Sequence, residues 1–202
     1  MNRGAGAPGR ARGRLLPVCA AFFIAHALLG PPAARAEVSA EAQAGAVTER
    51  SVKAAYLYKF AGYVEWPEAS FPQPDTPLTF GVMGDEAVAA ELARLVAGRS
   101  VDGRPLAVRR IKEGEPLAGL HILFVGRADS ARLEQVNRTT AARPILIVTE
   151  SEGALAQGST INFVMADGRV KFAISTESAD RRSLKLSSRL LTVAQNMRAE
   201  AP

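Results

Sequence analysis

Cysteine and histidine, two side chains that often carry nucleophilic and acid–base chemistry near neutral pH, are scarce in this sequence. Cys19 is the single cysteine, and His26 and His121 are the two histidines. His121 opens an apolar strand, where it could act as a general base, although a half-buried and hydrogen-bonded imidazole is the interpretation we favour. The sequence contains no Gly-x-Ser-x-Gly elbow, no Walker loop, no zincin motif and no metal-ligand spacing of histidines. We therefore predict no catalytic site, no metal site and no cofactor.

Two glycine turns could bind an anion. Gly84 and Asp85 follow one predicted strand, Gly126 and Arg127 follow another, and each pair precedes a predicted helix. Backbone N–H groups at a helix start attract negative charge, and ligands of open α/β sheets collect beyond the carboxyl ends of the strands. Asp85 and Asp129 would themselves occupy these N–H groups as helix N-caps, so we favour ordinary turn chemistry.

An aromatic stripe on the first predicted helix, residues 49–66, is the candidate surface for a protein partner. With about 100° between successive residues, Tyr56, Phe60 and Tyr63 share one face, and Trp66 ends the helix. An aliphatic sector that includes Leu57 occupies another face. Either the stripe packs on the sheet, or the aliphatic sector does so and part of the stripe contacts a partner or a second copy.

The distribution of charge along the chain indicates export. Residues 1–36 contain five arginines and no acidic residue, whereas the remainder of the chain has 20 basic and 20 acidic residues. The arginines, the apolar stretch at residues 15–29 and the small-x-small site at residues 34–36 are typical of a secretory signal peptide. The apolar stretch is shorter than the roughly 20 residues that span a bilayer. We predict cleavage before Glu37 and a periplasmic location; a lipoprotein acylated at Cys19 is disfavoured by the bulky Val18.

Cleavage would leave a formally neutral chain without cysteine. Such a protein has no thiol nucleophile and no redox switch of its own. Its paired arginines, at residues 109–110 and 181–182, are isolated, so we expect no binding to nucleic acid. Nor do we expect membrane insertion.

The mature sequence alternates strands with helices, which is typical of a three-layer α/β fold with a largely parallel sheet and helices on both faces. Residues 37–48 are predicted as a flexible N-terminal segment and residues 49–198 as a single domain. The predicted elements are strands at 78–83, 121–125 and 145–149, an extended stretch at 106–111, and helices at 85–96 and 129–140.

A C-terminal hairpin and a final helix complete the prediction. The Asp167-Gly168 turn predicts antiparallel pairing within residues 161–175. That register places three apolar pairs on one buried face: Met165 with Val170, Phe163 with Phe172 and Ile161 with Ile174. Ser187 is predicted to cap the final helix, which runs through Met197 with an inward stripe of Leu190, Val193, Ala194 and Met197.

The sequence resembles the YfiR-like periplasmic family. The most specific block is Tyr-Leu-Tyr-Lys-Phe, followed by Val-Glu-Trp-Pro, within residues 56–67. Ordinary apolar blocks at residues 80–84, 121–126, 145–149, 158–163, 170–175 and 186–191 follow in the same order. The resemblance covers residues 48–198.

The resemblance implies a small α/β regulator, often dimeric, that binds the periplasmic sensor domain of an inner-membrane diguanylate cyclase. Such regulators inhibit the cyclase and so lower cyclic di-GMP and biofilm formation. In the best-known system of this family, an OmpA-like outer-membrane lipoprotein sequesters the regulator, so the resemblance also implies such a partner. Disulfide-based redox control is not carried over, because the mature chain has no cysteine.

Two other function classes stay open at this point. One is a periplasmic module that binds a small anion or nucleotide at the two glycine turns. The other is an enzyme, which would need a carboxylate beside His121.

Overall fold

The computed structural model describes residues 32–141 and 143–199. Among the described residues, those from Ala42 onward belong to one compact unit. Most of the proposed signal peptide, including Cys19 and His26, lies outside the described residues, so its cleavage stays a prediction. Among the helices that the structure describes, none has the length and apolar character that a membrane span requires.

The first helix, α1, runs Pro32–Ala61 and differs from the prediction at both ends. Residues 37–48 are helical, contrary to the predicted flexible segment, because alanine has the highest helix propensity. The helix ends at Ala61 and not at Trp66. The N–H groups of Gly62 and Tyr63 donate hydrogen bonds of 3.0 Å to the carbonyls of Lys59 and Phe60, respectively, and these bonds close the last turn.

A two-stranded antiparallel sheet follows α1 directly. Strand β1, Val64–Glu65, pairs with β9, Lys185–Leu186. The prediction places Val64 and Glu65 in the first helix, but their backbone groups pair with a strand more than 100 residues away along the chain. The segment after α1 is thereby attached to the C-terminal region.

In the described part of the chain, the main sheet has seven strands in the order β3-β4-β2-β5-β6-β7-β8. Their bounds are β2 Leu78–Met83, β3 Ser100–Val101, β4 Arg104–Arg110, β5 Ile122–Val125, β6 Leu146–Thr149, β7 Ile161–Ala166 and β8 Arg169–Ile174. Strands β4, β2, β5, β6 and β7 are parallel, and the edge strands β3 and β8 are antiparallel to their neighbours. The predicted α/β class is confirmed.

Apolar residues cover both faces of this sheet. In β5, Ile122 and Phe124 belong to one buried cluster, whereas Leu123 and Val125 belong to another. Successive side chains of a strand point to opposite faces, so a continuous apolar strand requires cover on both sides. The helices that follow α1 in the chain are α2 Glu86–Val96, α3 Leu133–Thr140, α4 Thr176–Arg181 and α5 Ser188–Ala199.

The turn chemistry is mostly as predicted. The Asp85 side chain caps α2 by accepting the Val88 N–H at 2.9 Å, and Ser187 caps α5 by accepting the Leu190 N–H at 3.3 Å. The helix predicted from Asp129 begins instead as a 3-10 turn, Arg127–Arg132, before α3. The extended stretch predicted at 106–111 is longer, because the turn at residues 102–103 forms a hairpin of β3 and β4.

The hairpin register is confirmed, but its burial differs from the prediction. Met165 pairs with Val170 as predicted, yet Met165 is 46% exposed, since it lies next to the turn where the strand ends. On the face predicted to be partly wet, Lys171 is buried. In α5, Leu190 and Ala194 are buried as predicted, whereas Val193 is exposed, contrary to the prediction. The Met197 side chain is not among the side chains that the structure describes.

Candidate partner-binding site

The two glycine turns meet where the order of the parallel strands reverses, between β2 and β5. A Cβ atom on Gly126 would lie 2.7 Å from the Gly84 carbonyl oxygen. A Cβ atom on Gly84 would lie 2.8 Å from the Asp129 backbone nitrogen, and Gly84 also has a φ of 73°. The chain itself therefore fills the crevice in which many α/β proteins bind a ligand.

One of the backbone N–H groups that could bind an anion already donates to a carboxylate of the protein. Glu150, which directly follows β6, accepts the Arg127 N–H at 3.0 Å and forms a buried ion pair with Lys53 of α1. Glu49 also pairs with Lys53. A free anion at the predicted turns would have to displace Glu150 from Arg127 and the capping Asp85 from Val88.

The charge of Lys53 is stabilised despite its burial. Desolvation is the largest single influence and lowers the pKa of Lys53. Hydrogen bonds and charges from Glu150 and Glu49 together outweigh it, so the pKa is raised above the ordinary lysine value. This network joins α1 to the turn after β5 and has a structural role.

The aromatic stripe of α1 is divided between core and surface. Phe60 is 1% exposed and packs between Phe163 and Phe172, with ring centroids 6.0 and 5.2 Å away. Tyr56 is half-buried against the same two rings, and burial raises the pKa of its hydroxyl. Tyr63 is also half-buried, and its carbonyl accepts the Ser187 N–H. Phe60 therefore belongs to the core, whereas Tyr56 and Tyr63 retain exposed area.

Trp66 lies apart from that stripe, beside His121. Its indole Nε1 donates to the His121 carbonyl at 3.2 Å, and the two rings meet edge to face. The His121 imidazole is buried and stacks on Phe71, with ring centroids 4.4 Å apart. These rings hold the loop after β1 against the start of β5.

Both ring nitrogens of His121 bind the backbone. Nδ1 accepts the Thr79 N–H at 3.1 Å, which leaves Nε2 to donate to the Ser70 carbonyl at 3.1 Å. This arrangement requires the neutral imidazole. Burial is the largest influence and lowers the pKa of His121; the hydrogen bond to the Ser70 carbonyl, the next largest, raises it, and the charge of Arg104 lowers it further, so that the net shift is downward. The observed contacts agree with a structural histidine, and the described contacts of the ring include no carboxylate of the kind that a catalytic base would need.

A groove of about 550 Å³ opens beside Trp66 and Phe71. We call it the Trp66 groove. It lies between the segment at residues 61–78 and the β3–β4 hairpin, and its lining consists of Ala61, Val64, Glu65, Trp66, Glu68, Phe71, Pro72, Gln73, Pro74, Leu78, Val101, Asp102 and Arg104.

Arg104 fixes the wall of the Trp66 groove. Its guanidinium lies 4.0 Å from the centroid of the Phe71 ring and donates to the carbonyls of Gln73 and Pro74 at 3.1 and 2.9 Å. Two side chains thus hold the proline-containing loop in place. Arg104 of β4 binds the carbonyls of Gln73 and Pro74, and His121 binds the carbonyl of Ser70 at the start of the loop. Of the four predicted partner-binding residues, only Trp66 lines this groove.

Sequence reasoning missed Phe71, Arg104 and the prolines as site residues. The three prolines at positions 72, 74 and 77 indicated a loop, and their proximity to Phe71 and Trp66 was the available signal. Nothing local linked Arg104 to that loop. As for metals, the described part of the chain holds no group of three or more His, Cys, Asp or Glu residues placed to bind an ion.

Comparison with known proteins identifies the family. The family model described as YfiR/HmsC-like matches residues 50–195, which include the whole Trp66 groove. The chain belongs to the YfiR/HmsC-like family. This confirms the resemblance seen in the sequence. YfiR/HmsC-like proteins form a periplasmic, regulatory and non-catalytic family of diguanylate cyclase signalling. None of the curated proteins compared with the chain matches it.

Proposed function

We propose that this protein is a periplasmic, non-enzymatic inhibitor of an inner-membrane diguanylate cyclase. It binds the periplasmic sensor domain of the cyclase, holds the enzyme inactive and so lowers cyclic di-GMP. The family match over residues 50–195 carries this proposal. The open, aromatic Trp66 groove supports it, since tryptophan is enriched among the residues that dominate binding energy at protein interfaces.

Inhibition of this kind is a shift between two conformations of the sensor domain. The regulator must bind the inactive conformation more tightly, and a change from 99% active to 99% inactive needs about 5.5 kcal/mol of differential affinity. A surface that is already ordered loses little conformational entropy on binding. The contacts of His121 and Arg104 provide such order around the groove.

Deletion of the gene tests the proposal. We expect cyclic di-GMP and biofilm formation to rise in the deletion strain and to return to the starting level with a plasmid copy. The rise should disappear when the gene of the partner cyclase is also deleted, which identifies that cyclase. Unchanged cyclic di-GMP under conditions where the protein is expressed would contradict the proposal.

Location provides a matched control for this experiment. A plasmid copy that lacks residues 2–36 should stay in the cytoplasm and should not restore the low cyclic di-GMP level. Full complementation by this copy would contradict a periplasmic site of action. Mass spectrometry of the exported protein should find a mature N-terminus at Glu37.

The proposal extends to release and assembly. An OmpA-like outer-membrane lipoprotein that sequesters the regulator would relieve inhibition, so its overproduction should raise cyclic di-GMP in the wild type but not in the deletion strain. A homodimer is the proposed assembly, and light scattering on the purified protein measures it directly.

A further inference from the structure

Three carboxylates line the Trp66 groove. Glu65, Glu68 and Asp102 are all exposed members of its lining. None of them takes part in the ion pairs found among the described residues. The groove therefore presents three negative charges to whatever enters it.

The one basic residue of the lining does not balance these charges by pairing with them. The Arg104 guanidinium lies over the Phe71 ring and donates to backbone carbonyls of the loop. Its position is thus set by the wall of the groove. The net charge of the lining is negative, which disfavours phosphates, nucleotides and other anions as occupants.

The lining of the groove also includes apolar side chains. Trp66, Phe71, Leu78 and Val101 supply aromatic and aliphatic surface in addition to the charged residues. Protein-binding surfaces commonly combine the two, since apolar contacts provide affinity and charged groups provide orientation and association rate.

We infer that the Trp66 groove binds a basic segment of the sensor domain, with lysine or arginine side chains facing Glu65, Glu68 and Asp102 and an apolar side chain packed on Trp66. This inference rests on the proposed function, because the sensor domain is the partner that it names. A basic segment is the occupant that complements the negative charge of the groove. Its lysine or arginine side chains can contact the aromatic rings as well as the carboxylates, because a cation is attracted to the face of an aromatic ring.

The single tryptophan makes the groove directly observable. Trp66 is the only tryptophan in the chain, so regulator labelled with 5-fluorotryptophan gives one ¹⁹F resonance, which reports this site. Addition of the unlabelled sensor domain of the cyclase identified by deletion should shift or broaden that resonance. Binding that leaves the resonance unchanged would overturn the inference.

Charge-neutral variants test the role of the carboxylates. The triple variant Glu65→Gln, Glu68→Gln, Asp102→Asn should bind the sensor domain at least about tenfold more weakly, mainly through slower association and with a smaller dependence on salt. Asp102 has a φ of 50°, a conformation that asparagine tolerates well, and all three positions are exposed, so the fold should persist. A thermal unfolding curve matching that of the wild type checks this.

The matched control removes the same charge elsewhere on the surface. Glu113→Gln, Glu152→Gln and Asp180→Asn affect exposed carboxylates outside the groove lining, and this variant should keep wild-type affinity. Equal weakening by the two triple variants, or no weakening by the groove variant, would overturn the inference while leaving the proposed function intact. No binding of the sensor domain by the wild-type protein would overturn both.

Discussion

Replacement of His121 by alanine should destabilise the protein strongly, because the imidazole joins two parts of the backbone. The Thr79 N–H loses its acceptor, and the Ser70 carbonyl loses its donor. An unsatisfied buried polar group costs about 1–3 kcal/mol, and the lost ring stacking with Phe71 adds about 0.5–1.5 kcal/mol. With partial access of water to Ser70 and Thr79, we expect the free energy of unfolding to fall by about 3 kcal/mol. Urea unfolding with an unchanged m-value measures it.

Acid should have a related effect on the wild type. Protonation of Nδ1 would place two N–H groups against each other, so the folded state disfavours the charged ring. The pKa of His121 is lowered in the folded state, below the value of about 6.5 expected for the unfolded chain. The unfolded chain therefore takes up the proton first. Stability from this group is complete above about pH 6.5 and is lost as pH falls through the folded pKa, at no more than about 1.4 kcal/mol per pH unit.

Ser70→Ala is the control for this prediction. The Ser70 Oγ is buried and has no hydrogen-bond partner among the described residues, while the backbone carbonyl that accepts from His121 stays in place. This variant should be as stable as the wild type or slightly more stable. Two results would refute the role assigned to His121: a loss below about 1 kcal/mol in His121→Ala, where the unsatisfied groups predict more, or an imidazole pKa at or above about 6.5 by NMR.

Three further predictions, two on the ion pair of Lys53 and one on the glycine turns, are measured by the same unfolding experiment. Lys53→Met leaves the Glu150 carboxylate buried without its cation and should lower the free energy of unfolding by about 3–5 kcal/mol. Addition of Glu150→Gln to this variant should recover part of the loss, because the buried charge is then removed. A double variant no more stable than Lys53→Met would contradict the prediction. Because the pKa of Lys53 is raised, the contribution of the pair should be complete at neutral pH and lost only as pH rises through the folded pKa, above the ordinary value of 10.5. Gly126→Ala should cost about 1–3 kcal/mol because its Cβ would clash with the Gly84 carbonyl. Gly62→Ala, whose Cβ would have its nearest contact at 3.7 Å, should change little, and similar losses at the two glycines would argue against close packing of the turns.

The elements that could be predicted depend on residues close together in the chain. Strand β2, the Asp85 cap and the register of the β7–β8 hairpin follow from an apolar run, a capping side chain and a two-residue turn. The start of α1 was missed although its signal is local, since the alanine content of residues 37–48 was interpreted as lack of order. The end of α1 was missed for a different reason, because β1 exists only through its pairing with β9.

The candidate site shows the same division. Helical periodicity placed Tyr56 and Phe60 on one face, but it could not say which neighbour covers that face; the hairpin does so and encloses Phe60. The Trp66 groove combines residues of two segments, 61–78 and the β3–β4 hairpin, and the contact of Trp66 with His121 spans 55 residues of sequence.

The sequence by itself determined the α/β class, the turn positions, the scarcity of reactive groups and the family of this protein. Each of these depends on residue type and short-range spacing, and both are readable along the chain. Tertiary structure alone decided which aromatic rings are buried, that Glu150 occupies the predicted anion turn, and that Trp66, Phe71 and three carboxylates share one groove. Those outcomes depend on how distant segments pack in three dimensions, and side-chain periodicity within one element carries no information about its neighbours.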